Sequence, residues 1–354
     1  MAYKIGFMGF GGMVSGYHYG AISSDDVPFE AVAAFDIDPA RRADAEAKGL
    51  VAYDDPKAFL KAGGYDFVVV GTANNYHCEL ACMAMEAGFN VMTEKPAARN
   101  AAEVEKMIET SEKAGVIFTV HQNRRWDSDF MMVRQAIADG CVGKPFMIES
   151  RIHSANGNGD MYGWRAMKDH GGGMLLDWGV HMLDQILYMV GEPVKTVSAN
   201  VFPLWSQEVD DYSKVIITFE SGLVAQMEVA TYTPIPLPRW TVYGDGGALS
   251  MQEIGSPKVH VRKITGDRTD WETANAFEDY KVVKRPQSRH RILGYEEFDT
   301  DKRPAGDWHS LYRNLAGVLD GKEELIVKPA QVLQCLKVID AAFRSSAEGV
   351  TVRF

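Results

Sequence analysis

Asp177 and His181 stand four residues apart in a stretch of helical patterning, directly after Gly171-Gly172-Gly173. At that spacing both side chains project from one face of a helix. The imidazole titrates near neutral pH and can take a proton from a hydroxyl; the carboxylate can orient the ring or bind a neighbouring hydroxyl. An isolated Asp-x-x-x-His is more often a helix cap with an incidental histidine. Three preceding glycines, which admit a close approach by a small ligand, favour a site. Asp184 and Tyr188 continue the stripe, and Leu183, Ile186, Leu187 and Val190 supply apolar packing. Lys95 follows the short apolar run Asn90–Thr93 and precedes Pro96. From a strand end, an ammonium group can hydrogen-bond a reacting oxygen and stabilise developing negative charge. Together these groups suit oxidation of a secondary alcohol, in which hydride leaves carbon and a proton leaves the hydroxyl. Lys95 and His181 are both eligible as the base.

A hydride needs an acceptor, and the first strand ends in Gly9-Phe10-Gly11-Gly12-Met13-Val14. Gly9-x-Gly11 opens a dinucleotide fingerprint: the first glycine permits the tight turn, and the second lets backbone N–H groups approach a pyrophosphate at a helix N-terminus. Val14 occupies the third position, where glycine or alanine is usual. Asp36 ends the next strand 22 residues after Val14, where an acid binds the adenosine ribose hydroxyls. Cofactor contacts are expected at Gly9, Phe10, Gly11, Gly12, Met13 and Asp36. A carboxylate at Asp36 accepts from a 2′-hydroxyl and repels a 2′-phosphate, so NAD is expected over NADP, although Arg41 and Arg42 are close enough in sequence to reach a phosphate. No metal is expected. Cys78 and Cys82, four apart on a helical stretch, read more simply as small buried residues than as ligands, and Cys141 and Cys335 join no cluster.

These residues need elements to position them. Apolar runs at Lys4–Met8, Ala31–Asp36, Phe67–Gly71, Asn90–Thr93 and Val116–Val120 alternate with helical stretches at Pro39–Lys48, His77–Ala87 and Ala101–Ala114. That alternation predicts βαβ units and a doubly wound parallel sheet. The strand ends at Gly71–Asn74 and Glu94–Pro96 lie where such sheets bind ligands. After residue 124 the pattern changes. A helix over Asp129–Asp139, a strand over Phe146–His153 and a helix from Leu175 to Met189 precede strand-like runs at Val194–Val201, Ser213–Glu220, Leu223–Thr231, Trp240–Tyr243 and Lys258–Lys263. Adjacent strands joined by turns predict an open, largely antiparallel sheet in an α+β domain. Residues 285–306 read as irregular and charged, and helices over Trp308–Asp320 and Pro329–Ser346 close the chain. The expected division is a Rossmann domain at 1–123 and a substrate-binding and oligomerisation domain at 124–354.

A chain of 354 residues exceeds one comfortable core. The net charge of −11 argues against a nucleic-acid partner. No window holds the roughly 20 apolar residues of a membrane span. Met1-Ala2-Tyr3-Lys4 runs into a strand without a signal-peptide cleavage pattern, and four cysteines are too few for a disulfide scaffold. A cytoplasmic protein is expected.

Residues 66–96 contain Asp-Phe-Val-Val-Val-Gly-Thr-Ala-Asn-Asn-Tyr-His, then Ala-Gly-Phe-Asn-Val-Met-Thr-Glu-Lys-Pro. That order of strand, polar loop with His77, helix and Glu94-Lys95-Pro96 resembles the glucose–fructose oxidoreductase/inositol dehydrogenase family. Gly171 through Asp177 to His181 is similar to that family's substrate-domain motif, and the tail from Pro329 through Ala341-Ala342 to Gly349 also matches. The departures are Val14 and a one-residue offset of His18 from the usual glycine-to-histidine spacing. The resemblance implies that Thr72, Asn74, His77 and Glu94 lie near the cofactor and Lys95 at its nicotinamide end. It implies a sugar, inositol or related polyol as substrate, and a homo-dimer or homo-tetramer. Arg124, His153, Trp164 and Arg165 are expected to join Lys95, Asp177 and His181 on the substrate side. Relatives on the same scaffold include enzymes that cleave glycosides through transient oxidation, and ligand-sensing regulators without catalysis. Retention of Lys95, Asp177 and His181 counts against the regulator.

Overall fold

In the computed structural model, residues 2–24, 26–154 and 161–354 are described. The first sheet has six parallel strands: β1 (Tyr3–Met8), β2 (Phe29–Phe35), β3 (Val51–Tyr53), β4 (Phe67–Val70), β5 (Asn90–Thr93) and β6 (Phe118–Val120). Their spatial order is β3-β2-β1-β4-β5-β6, which reverses direction between β1 and β4. That crevice is the ligand-binding point of a doubly wound sheet. Phe67, Val68, Val69 and Val70 are all fully buried, as expected of a strand covered by helices on both faces. The helices are α1 (Tyr19–Ile22), α2 (Pro39–Ala47), α3 (Pro56–Ala62), α4 (His77–Glu86) and α5 (Ala101–Ala114). Asp38 and Asp55 cap α2 and α3 by accepting from backbone amides, each with a proline just inside the helix. β3 and α3 were not anticipated from sequence: three strand residues carry too little pattern to register.

The second sheet has nine strands. After α6 (Ser128–Ala138) come β7 (Pro145–His153), α7 (Val180–Val190), β8 (Val194–Phe202), β9 (Tyr212–Phe219), β10 (Val224–Ala230), β11 (Trp240–Gly244), β12 (Gly247–Met251), β13 (Val259–Glu278) and β14 (Lys281–Thr300). Helices α8 (Ser310–Leu319) and α9 (Pro329–Glu348) and the short β15 (Val352–Arg353) close the chain. The order is β14-β13-β12-β11-β7-β10-β9-β8-β15, antiparallel except where β7 and β10 run parallel. In β9, Ser213, Val215, Ile217 and Phe219 are buried while Tyr212, Lys214, Ile216 and Thr218 are only partly covered. One face therefore packs on helices, with α9 bonded to β8 through Ser345 and Ser346. The other face is open.

The expectation of an irregular segment at 285–306 is corrected. Residues up to Thr300 form β14, which pairs with β13 along its whole length. The charges that read as a loop lie along a ribbon, where β13 supplies partners: Glu272 to Arg289 and Arg291, Glu278 to Arg285, and Arg262 to Glu297.

The C-terminal helices return to the first sheet. Asp340 on α9 accepts from the Ala101 amide that opens α5, and Thr119 on β6 donates to the Val327 carbonyl. Arg125, buried between the two sheets, makes a bidentate pair with Asp184 on α7 and donates to the Ile326 carbonyl. No helix among the described residues is long and apolar enough to cross a membrane.

Candidate active site

The loop after β1 explains how the chain tolerates Val14. The segment Met13–His18 is a π-helix, whose hydrogen bonds span one residue more than those of an α-helix. That extra residue absorbs the offset of His18 and turns its ring into the interior, where it is fully buried. Val14 is also fully buried, and a Cβ on Gly71 would lie 2.3 Å from its Cγ2. The valine methyl thus occupies space left open by a glycine on the neighbouring strand end, and close helix–strand packing is kept.

The same loop tests whether a dinucleotide fits. Gly9 has φ +93° and lies against the Gly71 carbonyl, so a side chain there is excluded. A Cβ at Gly11 or Gly12 would meet nothing within 4 Å, which leaves their backbone open to a large anionic group. Phe10 is buried against Phe7 and Tyr19 and offers only backbone; Met13 is 41% exposed. Asp36 accepts from the Phe10 amide at 2.7 Å and the Asp38 amide at 2.9 Å. Each carboxylate oxygen keeps lone-pair capacity for ribose hydroxyls. These residues suit a nicotinamide dinucleotide.

The strand-end loops are tied to each other. His77, fully buried, lies between the Pro96 carbonyl at 2.9 Å and the Thr72 carbonyl at 3.1 Å. Asn74 donates to the Gly171 carbonyl and so joins the first sheet to the glycine run. The side chains of His77 and Asn74 are used to fix the loops, and Thr72 Oγ1 donates to the Ala73 carbonyl. Glu94 is 6% exposed. Its Oε1 is 2.7 Å from both His18 Nε2 and His121 Nδ1, and its Oε2 accepts from the Lys95 amide. Burial alone would raise its pKa, but the charge and hydrogen bonds of His121 and His18 outweigh it and hold Glu94 well below the usual range. Tyr312 on α8 hydrogen-bonds His18 Nδ1 and closes this network. His18, Glu94 and His121 are the group of metal-ligand composition found among the described residues. Their 2.7 Å separations are hydrogen-bond lengths, shorter than the about 3.3 Å between ligands of a tetrahedral zinc.

Lys95, Asp177 and His181 converge. Lys95 Nζ donates to Asp177 Oδ1 at 2.7 Å and to the Asp177 carbonyl at 2.8 Å. Arg165 Nε lies 3.7 Å from the same carboxylate, with its guanidinium 4.4 Å from the Trp164 ring centre. Burial would raise the Asp177 pKa; Lys95 and Arg165 overcome it and keep the group ionised. Asp177 sits in a second π-helix, Leu175–Gly179, that runs into α7. The glycines before it also answer a packing need. A Cβ on Gly173 would lie 2.2 Å from Asp210 Oδ1, and that carboxylate accepts from the Leu175 amide at 2.8 Å. The run lets Asp210 cap the helix entry; burial pushes this carboxyl up to about 6.

His181 is 5% exposed, and its Nδ1 is 2.9 Å from Gln122 Oε1. The orienting contact therefore falls to Gln122, not Asp177. Accepting from Nδ1–H, Gln122 leaves the lone pair on Nε2. Burial first, then Lys95 and Arg124, hold the imidazole well below its ordinary pKa, so it is neutral at pH 7. Arg124 stacks 4.3 Å from the Trp178 ring centre and 5.5 Å from that of Trp308, and pairs with Asp127 at 3.1 Å. Beside it a cleft of about 590 Å³ opens between Tyr17, Asp127, Trp308 and His309. His153 stands apart from these groups. It accepts from the Leu237 amide and lies 3.7 Å from Glu228.

A Rossmann sheet with an anion-ready glycine loop, facing a Lys–Asp pair and a neutral histidine, defines a dinucleotide-dependent oxidoreductase. Comparison with known proteins agrees. Residues 3–122 match the oxidoreductase family with an NAD-binding Rossmann fold, residues 130–250 match the GFO/IDH/MocA C-terminal domain, and the chain belongs to this family. A myo-inositol 2-dehydrogenase from Thermotoga maritima is 30% identical over 223 residues, 61% of this chain and 65% of the relative. A D-glucoside 3-dehydrogenase from Escherichia coli is 35% identical over 154 residues, 42% of this chain and 43% of that one. The crystal structure of an NAD-binding protein from Listeria innocua superposes with a TM-score of 0.82 at 35% identity, covering 100% of this chain and 97% of that one.

Proposed function

We propose that the protein oxidises a secondary alcohol of a sugar, inositol or related polyol with NAD, using Lys95, Asp177 and His181. The observation that carries this reading is the convergence of Lys95 Nζ on Asp177, beside an imidazole whose Nδ1 is engaged by Gln122. NAD, when held by the Gly9–Gly12 loop and Asp36, would supply the hydride acceptor at nicotinamide C4. His181 Nε2 takes the hydroxyl proton, since burial and two neighbouring cations keep the ring neutral. Lys95 donates to the reacting oxygen and stabilises its negative charge as the proton leaves. Asp177 holds the Lys95 ammonium and, with Arg165, offers acceptor and donor atoms to an adjacent hydroxyl. Arg124, Trp126 and Trp308 give the adjoining cleft flat apolar walls with a polar edge, which suits the remote part of a hydroxylated substrate. The names of the Thermotoga and Escherichia relatives support this substrate class. Asp36 supports NAD over NADP, because a 2′-phosphate would face its carboxylate.

A panel of sugars, inositols and glycosides with NAD or NADP, followed at 340 nm, tests the reading. Reduced NAD from at least one free polyol is expected. Release of an aglycone without accumulation of reduced cofactor would instead favour glycoside cleavage through transient oxidation.

A further inference from the structure

We infer that the β13–β14 hairpin is an arm whose apolar face is buried against a second copy of this chain. β12 pairs with β13 only as far as Lys263, yet β13 continues to Glu278 and its pairing with β14 runs to the tip. At ~3.4 Å per residue the ribbon projects about 50 Å beyond its last third strand. No residue from Ile264 to Tyr295 is buried within one chain.

The ribbon is two-faced. Cross-strand partners share a face. Trp271 with Ser288, Thr273 with Pro286, Phe277 with Val282 and Asp267 with Ile292 therefore mark one side. On it Trp271 is 75% exposed, Phe277 79% and Val282 60%. That side also holds Lys284 and one ion pair near its base, His290 to Asp267, whereas the other side carries most of the charge: Arg268 and Arg291 pair with Asp270, Arg289 with Glu272 and Arg285 with Glu278. Alternation of this kind is how a strand pair presents one side to water and the other to a packing partner. A lone two-stranded ribbon is marginal in water, and cover over Trp271, Phe277 and Val282, on its less charged side, would stabilise it.

Charge indicates what supplies the cover. The arm holds six Lys and Arg against five Asp and Glu, in a chain with 37 against 48. Its salt-bridged side leaves no single-sign field for a nucleic acid or an acidic peptide. The slightly cationic arm meets attraction on the acidic body of another copy, where two bodies alone would repel. It also leaves the edge of a sheet whose own outer face is open, so both uncovered surfaces belong to one molecule and can close under one symmetry operation.

The test uses the full chain. Light scattering after gel filtration at micromolar concentration should give a multiple of 39.2 kDa for the wild type. Trp271→Ser with Phe277→Ser should lower that mass at least twofold while circular dichroism and NAD binding persist, and Trp271→Phe should keep it. A monomeric wild type, or an unchanged mass in the double variant, overturns the inference. Should the double variant fail to fold, hydrogen exchange on the wild type decides. Amides of 267–292 should be protected at high concentration and lose protection on dilution; equal exchange at both concentrations overturns the inference.

Discussion

Replacing Gln122 by leucine removes the one hydrogen bond seen on His181 Nδ1, at 2.9 Å. A net hydrogen bond of this kind is worth about 0.5–1.5 kcal/mol, and a buried N–H left unpaired costs about 1–3 kcal/mol. The imidazole escapes that penalty by moving its proton to Nε2, which abolishes the lone pair needed to accept the hydroxyl proton. A shift of about 1.4 kcal/mol between tautomers corresponds to tenfold, so kcat/KM should fall about tenfold. That is less than the ~10²–10⁴-fold of losing an acid–base group outright. Gln122→Glu works through charge: a carboxylate beside the ring raises the depressed His181 pKa and moves the acid limb of the kcat/KM profile to higher pH. Initial rates of NAD reduction from pH 5 to 9, with the polyol found most active, measure both effects. Unchanged turnover in Gln122→Leu together with an unmoved acid limb in Gln122→Glu would refute the tautomer argument.

Cofactor choice should follow Asp36. Wild type is expected to bind NAD more tightly than NADP by isothermal titration, and Asp36→Ser should gain NADP affinity; tighter NADP binding by wild type contradicts this. Gly71→Ala should destabilise by about 1–3 kcal/mol through collision with Val14. Adding Val14→Ala should recover part of that in thermal melts, and additive losses would show that the two do not touch. His77 and His181 are buried, with pKa values pushed down first by desolvation. Their unfolded counterparts take up protons near pH 6.5, so stability is full above that pH and falls below it, by up to ~1.4 kcal/mol per pH unit for each ring. A melting temperature that stays level from pH 7.5 to 5.5 would contradict this.

Much of the fold was legible because it rests on periodicity. The β1, β4 and β5 strands are short apolar runs ending in glycine or polar residues, and the spacing of Asp177 and His181 pointed to one helix start. Other features depend on contacts that no local pattern encodes. The π-turn at Met13–His18 is stabilised by where His18 ends up, against Glu94 and Tyr312, residues distant in sequence. Gln122 reads as one polar residue in a polar segment until α7 brings His181 to it. The Gly171–Gly173 run was visible, but the packing around it was not: Asp210, far along the chain, occupies the space a side chain at Gly173 would need. The arm was missed because charges on β14 read as a loop until β13 supplies their partners.

The most direct test of the central claim follows the hydride itself. The active polyol, carrying deuterium at the oxidised carbon, is incubated with NAD and either wild type or His181→Ala, and the reduced cofactor is analysed by mass spectrometry and NMR. The account predicts one deuterium at C4 of the nicotinamide with wild type. It predicts formation of that product at least ~10²-fold slower with His181→Ala, in a variant that still melts cooperatively and binds NAD. Reduced cofactor without the label, or near-normal turnover in His181→Ala, would contradict it.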